Sequence, residues 1–402
     1  MTLFAAVELA PRDPILGLNE QFGADARPHK VNLGVGVYFD DAGKLPLLAC
    51  VKAAEQQLND AAKPRGYLPI DGIAAYDKAV QRLVFGADAA VLIAGRVATV
   101  QALGGTGGLK LGADFLKKLN PSATVLISDP SWENHRALFS NAGFPVSSYA
   151  YYDAANHGVR FDAMLADLGA AAAGSIVVLH ACCHNPTGYD ISPAQWAQVI
   201  TLLQARSLVP FLDMADQGFG DGIAEDGAVV QQFLASGLDF FVATSFSKSF
   251  SLYGERVGAL SVVCSSQDEA ARVLSQLKIT IRTNYSNPPT HGAQVVAMVL
   301  DNPALRTVWE DELAGMRRRI QQMRALLQDK LQNKLNSAGV AQDFSFITRQ
   351  RGMFSYSGLS KPQMDRLRDE FAIYGVDTGR ICVAALNTRN IDAVVAAISQ
   401  VL

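Results

Sequence analysis

The sequence predicts an α/β protein: a large unit with a mostly parallel sheet flanked by helices, joined to a smaller α+β unit. Three observations carry this. Nearly continuous apolar runs recur at 125–128, 175–183, 209–215, 240–247 and 257–264, separated by helical periodicity. That is the signature of strands buried on both faces. A helical pattern of unusual length opens at Asn302-Pro303, an N-cap followed by proline in the first turn. Its apolar stripe runs through Leu313, Met316, Ile320, Met323, Leu327 and Leu331, long enough to link two bodies. Beyond it the pattern changes to short strands mixed with short helices. The expected division is a large unit over 46–305 and a discontinuous small unit over 1–45 and 306–402.

Taken in order, Pro11 and Pro14 make the first segment an irregular arm. Residues 31–38 alternate like a strand, with Gly34 and Gly36 marking close backbone approach. Asp40 to Gly43 form a turn, and 48–61 has helical spacing. The run Gly104-Gly105-Thr106-Gly107-Gly108 breaks the pattern ahead of a helix over 109–119. Glycines opening a helix expose N–H groups at the positive end of its dipole, which suits phosphate. The run lacks both the Gly-Lys-Ser/Thr ending of a nucleotide loop and the third glycine of a dinucleotide fingerprint. A helix is expected near 135–141, strands at 344–347, 352–356 and 381–385, and helices at 363–371 and 391–401.

Composition narrows the function. The 402 residues are 49% hydrophobic and 18% charged, with a net charge of −3. Such a chain has no basic field for nucleic acid or anionic lipid. No apolar run approaches a membrane span, and the N-terminus lacks the pattern of an export signal. Five scattered cysteines form no disulfide framework, so a cytoplasmic location is expected. Cys182-Cys183-His184 lacks a second ligand pair at zinc spacing, and no metal site is expected.

In parallel sheets ligands gather at the carboxyl ends of strands. The polar residues ending the apolar runs are Asp129, Trp132, Asn185, Asp213 and Lys248. Lys248 lies in Ser245-Phe246-Ser247-Lys248-Ser249-Phe250, with Arg256 eight residues on. A partly desolvated amine there is a usable nucleophile, and Ser245, Ser247 and Arg256 can hold an anion beside it. These residues suggest a Schiff-base lysine beside a phosphate cup, the chemistry of pyridoxal phosphate. On this stretch alone a solvated loop lysine is the competing reading.

The wider set of motifs resembles the pyridoxal-phosphate-dependent aminotransferases of fold type I, in the aspartate and aromatic amino acid group. The resemblance rests on Asn32-Leu33-Gly34-Val35-Gly36-Val37-Tyr38, Gly104-Gly105-Thr106-Gly107, Pro130-Ser131-Trp132-Glu133-Asn134-His135, and Cys182-Cys183-His184-Asn185-Pro186-Thr187-Gly188. It continues through Ser245 to Lys248, Leu252 to Gly258, Asn284 to Pro289, Gly352 to Ser355 and Gly379-Arg380, in order over nearly the whole chain.

The resemblance implies roles for matching residues. Lys248 would hold the cofactor and move the substrate's α-proton. Asp213 would pair with the pyridinium nitrogen, supported by His135. Asn185 would bond the ring oxygen, and Trp132 would stack on the ring. Gly105, Thr106, Ser245, Ser247 and Arg256 would bind phosphate. Arg380, with the backbone at Gly36, would clamp the substrate α-carboxylate. Tyr67 and Arg282 would reach the neighbouring subunit's site, so a homodimer with shared active sites is implied. A nicotinamide oxidoreductase would need the missing fingerprint, and a non-catalytic cofactor-binding regulator would not need Arg380 and Arg282.

One position departs from the family pattern, which has tyrosine where this chain has Asp216. Either Asp216 turns away and water replaces it, or the lysine's Schiff base titrates at higher pH. The segments Gly158-Val159-Arg160-Phe161, Arg351 to Ser357 and Cys382 to Asn387 resemble aromatic more than aspartate enzymes. Tyrosine and phenylalanine are the expected donors and 2-oxoglutarate the acceptor, with aspartate as the alternative donor. Ile15, Leu16 and Val35 are expected to wall an apolar side-chain pocket.

Overall fold

A computed structural model describes residues 2–402. Its centre is a seven-stranded sheet of β1 (Val97–Leu103), β2 (Val125–Asp129), β3 (Val146–Ala150), β4 (Ile176–His180), β5 (Val209–Met214), β6 (Phe240–Ser245) and β7 (Val257–Val263). The spatial order is β1-β7-β6-β5-β4-β2-β3. Neighbours from β6 through β3 pair parallel, whereas β7 is antiparallel to both β6 and β1. The reversal has a local cause. The connection over 246–256 carries no helix, and parallel strands need a longer crossover.

Both faces of the sheet are buried, which accounts for the continuous apolar runs. In β4, Val177 and Leu179 enter one core while Ile176 and Val178 enter the other. Likewise Leu212 and Val242 face the first core, and Phe211 and Phe241 the second. Phe211 is fully buried, and truncating such a side chain to alanine costs about 3–5 kcal/mol.

Helix α1 (Gly104–Leu119) begins at the glycine run itself, so those glycines form its first turn rather than a preceding loop. Gly104 has φ +69°, and a Cβ there would lie 2.5 Å from a terminal nitrogen of Arg256. Only glycine permits both the left-handed backbone and the arginine's passage.

Helix α2 (Pro303–Ser337) starts where expected, with the Asn302 side chain accepting from the amides of Ala304 and Leu305. Its stripe from Leu313 to Leu331 is buried. It also braces the lysine loop: Trp309 Nε1 donates to the Ser249 carbonyl at 2.8 Å, and its ring stacks on Phe250 with centroids 4.7 Å apart.

The smaller α+β part draws on both ends of the chain. Val31–Asn32 pairs parallel with Ile373–Tyr374, and Phe354–Tyr356 pairs antiparallel with Arg380–Cys382. Three expectations are corrected here, the first being the strand expected over 381–385, which ends at Cys382 and gives way to a 3₁₀ turn, Val383–Ala385. The strand expected over 31–38 stops at Asn32, after which the backbone leaves the sheet and the Leu33 carbonyl accepts from Cys382 N at 2.7 Å. Residues expected as a strand at 344–347 instead enter a 3₁₀ helix, Ser345–Arg349. The Asp343 carboxylate, accepting from the Ser345 amide at 2.8 Å and from its hydroxyl, favours that turn over an extended run.

Candidate active site

At the carboxyl ends of the central strands lies a cavity of about 410 Å³, closed by the smaller part of the fold. Three groups of side chains line it, each delivered by a strand or helix end.

The first group is built for an anion. Gly105 and Thr106 stand at the N-terminus of α1, Ser245 ends β6, and Ser247 and Arg256 lie on the loop leading into β7. Strand register brings them together: Val257 pairs with Leu103 and Gly258 with Ser245. The amide of Gly104 donates to the Arg256 carbonyl at 3.0 Å. Arg256 Nη1 donates to the Ser247 hydroxyl at 3.3 Å and to the Tyr253 carbonyl at 3.0 Å. Helix-end amides, hydroxyls and a guanidinium are the usual donor set for phosphate.

The second group is a buried acid with its support. His135 Nε2 bonds Asp213 Oδ2 at 2.9 Å, and His135 Nδ1 bonds the Ser131 hydroxyl at 2.9 Å. Burial alone would raise the Asp213 carboxyl. The His135 hydrogen bond, helped by the electrostatics of His135 and Lys248, outweighs it and leaves Asp213 below the ordinary carboxylate value. His180 pairs in register with Asp213, and both its ring nitrogens are buried with no partner among the described residues. Burial, then the neighbouring His184 and His135, push its imidazole well down, so it is neutral. Trp132 lines the cavity with its ring edge-on to His135, centroids 5.2 Å apart. His184, read in the sequence beside two cysteines, uses its ring nitrogens on Ser128 and Thr187 at 2.8 Å each.

The third group is a buried guanidinium. Arg380 donates to Asn185 Oδ1 at 3.1 Å and to the Gly34 carbonyl at 2.8 Å. Glu133 lies 3.8 Å away, and the Phe354 ring lies 4.3 Å below the guanidinium carbon. Its Nε is buried without a partner among the described residues, so the guanidinium has donor capacity to spare. Gly36 packs against Phe354.

Lys248 sits between these groups, with its amine donating to Asp216 Oδ2 at 2.7 Å. Asp216 therefore faces the lysine and does not turn away. Tyr67 and Arg282 do not line this cavity. Tyr67 is 96% exposed, and Arg282 is exposed and bonded to Ser286. His180, Glu133 and Ser131 were not singled out from the sequence. His180 ends a strand next to Asp213's strand, the signal that would have found it. Of the expected apolar wall, Ile15 and Leu16 line the cavity and Val35 does not.

An amine beside an anion cup, a buried carboxylate and a buried guanidinium, all at the carboxyl end of an α/β sheet, define an enzyme of amine and carbonyl chemistry. The family model for aminotransferase class I and II matches residues 28–398, and the chain belongs to that family. It is 64% identical to an aspartate aminotransferase of Pseudomonas aeruginosa over 402 residues, covering 100% of both chains. It is 51% identical to an aromatic-amino-acid aminotransferase of Escherichia coli K12, again over 100% of both. A crystal structure of an aromatic-amino-acid aminotransferase from Burkholderia pseudomallei, covalently bound to pyridoxal phosphate, superposes with a TM-score of 0.96 at 65% identity, covering 100% of both chains.

Proposed function

We propose that this aminotransferase uses pyridoxal phosphate to move the amino group of tyrosine or phenylalanine to 2-oxoglutarate, with aspartate as the alternative donor. The observation that carries the cofactor reading is the joint placement of phosphate donors, a buried ionised Asp213 and Lys248 around one cavity. The donor chemistry fits the cofactor: an anion cup at one end, an acid for a ring nitrogen, and an amine for an aldehyde.

When bound, the cofactor supplies an electron sink for the charge that develops at the substrate α-carbon. The chain's residues do the rest. Gly105, Thr106, Ser245, Ser247 and Arg256 hold the phosphate. Asp213, kept ionised by His135, favours a proton on the ring nitrogen. Asn185 and Trp132 fix the ring by a hydrogen bond and by stacking. Lys248 carries the cofactor and acts as base on the α-proton. Arg380 orients the α-carboxylate with charge-assisted bonds, so the reacting hydrogen is presented in one geometry.

The comparisons leave the donor open, since relatives named for aspartate and for aromatic substrates stand at 64% and 65% identity. The apolar contribution of Ile15 and Leu16 to the cavity favours aromatic side chains. Measured with one shared acceptor, kcat/KM for phenylalanine is expected to exceed that for aspartate. The reverse order would make the chain an aspartate aminotransferase.

We further propose a homodimer in which Tyr67 and Arg282 complete the partner's site, Arg282 meeting the distal carboxylate of the acceptor. Their exposure supports this. Mixing inactive Lys248→Ala and Arg282→Ala subunits should restore activity, because one site of each hybrid then carries neither change. No recovery in verified hybrids would remove the shared-site reading. A cytoplasmic location is proposed on the five free, buried cysteines. No helix among the described residues is long and apolar enough to cross a membrane. Residues 46–305 are proposed to form the large cofactor-binding domain, and 1–45 with 306–402 the N-terminal arm and small domain.

A further inference from the structure

The lysine's partner in this chain is a second carboxylate. Lys248 Nζ donates to Asp216 Oδ2 at 2.7 Å, with the two side chains 15% and 5% exposed. Two contacts fix the Asp216 backbone: its carbonyl accepts from Phe219 N at 3.1 Å and from the Cys183 thiol at 3.9 Å. Its other oxygen, Oδ1, is buried with no partner among the described residues. The remaining charged groups nearby are committed elsewhere. Asp213 is bonded to His135, Arg380 to Asn185 and Gly34, and Arg256 to Ser247 and Tyr253. His180, Cys182, Cys183 and Tyr253 also lie near the pair, and burial favours the neutral form of each. Glu133, Asp190, Asp226 and Cys382 are the further titratable groups of the surrounding elements.

We propose that Asp216 is a proton-holding partner of Lys248. It stabilises the lysine as an ammonium ion and takes up the proton the lysine must shed before bonding a carbonyl carbon. A charged amine has no lone pair to donate, so one proton must leave before the nitrogen can bond carbon. In the step inferred, an ammonium N–H breaks and its proton passes to Asp216 Oδ2. The freed lone pair then adds to an aldehyde carbon while the carbonyl oxygen is protonated from Asp216. Loss of the oxygen as water, with the nitrogen's second proton, leaves a protonated C=N bond. Ammonium plus aldehyde thus gives protonated imine plus water, and no oxidant or reductant is consumed. The unpartnered Oδ1 lets the carboxyl group hold the proton without breaking another bond.

The inference rests on Lys248 being the carbonyl-binding amine, and the test separates the two. Cofactor-free protein is mixed with pyridoxal phosphate, and in a parallel arm with pyridoxal, across pH 5.5–9. Imine formation is followed by stopped-flow absorbance, then trapped with borohydride and located by mass spectrometry. In Asp216→Asn the acid limb of the capture rate should move to lower pH by about one unit, because the amine loses its carboxylate, while the plateau rate above that limb should fall on the order of tenfold, because the proton relay is lost. Asp216→Ser should behave likewise, which guards against one variant failing to fold. Asp216→Glu should retain the wild-type limb. A carboxylate that only stabilises the fold would change the melting temperature without moving that limb. Superimposable profiles for wild type and both neutral variants would overturn this inference alone. Trapping in wild type at any residue but Lys248 would overturn the functional reading, and this inference with it.

Discussion

Arg380 donates to the side-chain oxygen of Asn185 at 3.1 Å, joining a strand near the C-terminus to the loop after β4. The guanidinium is 1% exposed, and burial draws it below its ordinary value, against the opposing charge of Glu133. A buried charge held mainly by neutral acceptors is costly unless an anion arrives to meet it. On the proposed reading that anion is the substrate carboxylate. Lysine at this position keeps the charge but loses the planar pair of donors. Arg380→Lys should lower kcat/KM by about 10²–10³, as expected for one or two charge-assisted bonds at roughly 1.5–3 kcal/mol each. Cofactor affinity, set at the other end of the cavity, should change less than about threefold. Equal losses of cofactor and substrate affinity would place Arg380 in the general structure of the pocket instead.

Gly36 sets the height of the ring beneath that guanidinium. A Cβ at this position would lie 2.6 Å from Phe354 Cζ, and Phe354 packs under Arg380. Gly36→Ala must displace the ring, an overpacking cost of about 1–3 kcal/mol. The expected result is an amino-acid KM raised roughly tenfold with a smaller change in kcat. Adding Phe354→Leu should recover part of the loss, and additive losses in the double variant would count against a steric cause.

The parts of this site legible in the sequence are those set by strand ends. Lys248, Asp213 and Asn185 each follow a buried apolar run, and such runs can end only where the backbone reaches the sheet's edge. Gly36 and Arg380 came from motif resemblance, because nothing in their local pattern separates a carboxylate clamp from a surface salt bridge. The antiparallel β7 was hidden because strands buried on both faces read alike in either direction. The 3₁₀ turn at Ser345–Arg349 was hidden because an Asp343 cap competes with an apolar alternation. The contact between Lys248 and Asp216 joins two separate strand ends, so spacing along the chain holds no trace of it.

The bond between His135 and Asp213 predicts an acid limit to stability. Asp213 lies below the ordinary carboxylate value in the folded chain, so its contribution is present above the unfolded value of 3.8. That contribution is lost as pH falls through the lower, folded value. His135→Ala removes the main lowering influence while burial, which acts upward, remains. Acid unfolding followed by circular dichroism should then begin at higher pH than in wild type. Near neutral pH the variant should lose about 1–3 kcal/mol, the cost of an unsatisfied buried group. An unchanged acid midpoint would mean that Asp213 finds another donor once the imidazole is gone.

Asp77 predicts the opposite slope, far from the cavity. It lies on the helix Ala74–Phe85, is 9% exposed, and has Oδ1 buried without a partner among the described residues. Burial, reinforced by Asp71 and partly offset by Lys278, pushes its carboxyl up to about 9. The folded chain therefore keeps Asp77 protonated at neutral pH, while the unfolded chain ionises it above 3.8. Stability should fall as pH rises between these two values, by at most about 1.4 kcal/mol per unit. An asparagine side chain has nearly the same shape with nothing to titrate, so Asp77→Asn should be the more stable protein at pH 8, by roughly 1–3 kcal/mol. That advantage should vanish below about pH 3, where the aspartate is largely protonated in both states. Urea unfolding at pH 3, 6 and 8 measures the difference directly. Parallel pH dependence in the two proteins would show that Asp77 is ionised in the fold and has acquired a cation or solvent as its partner.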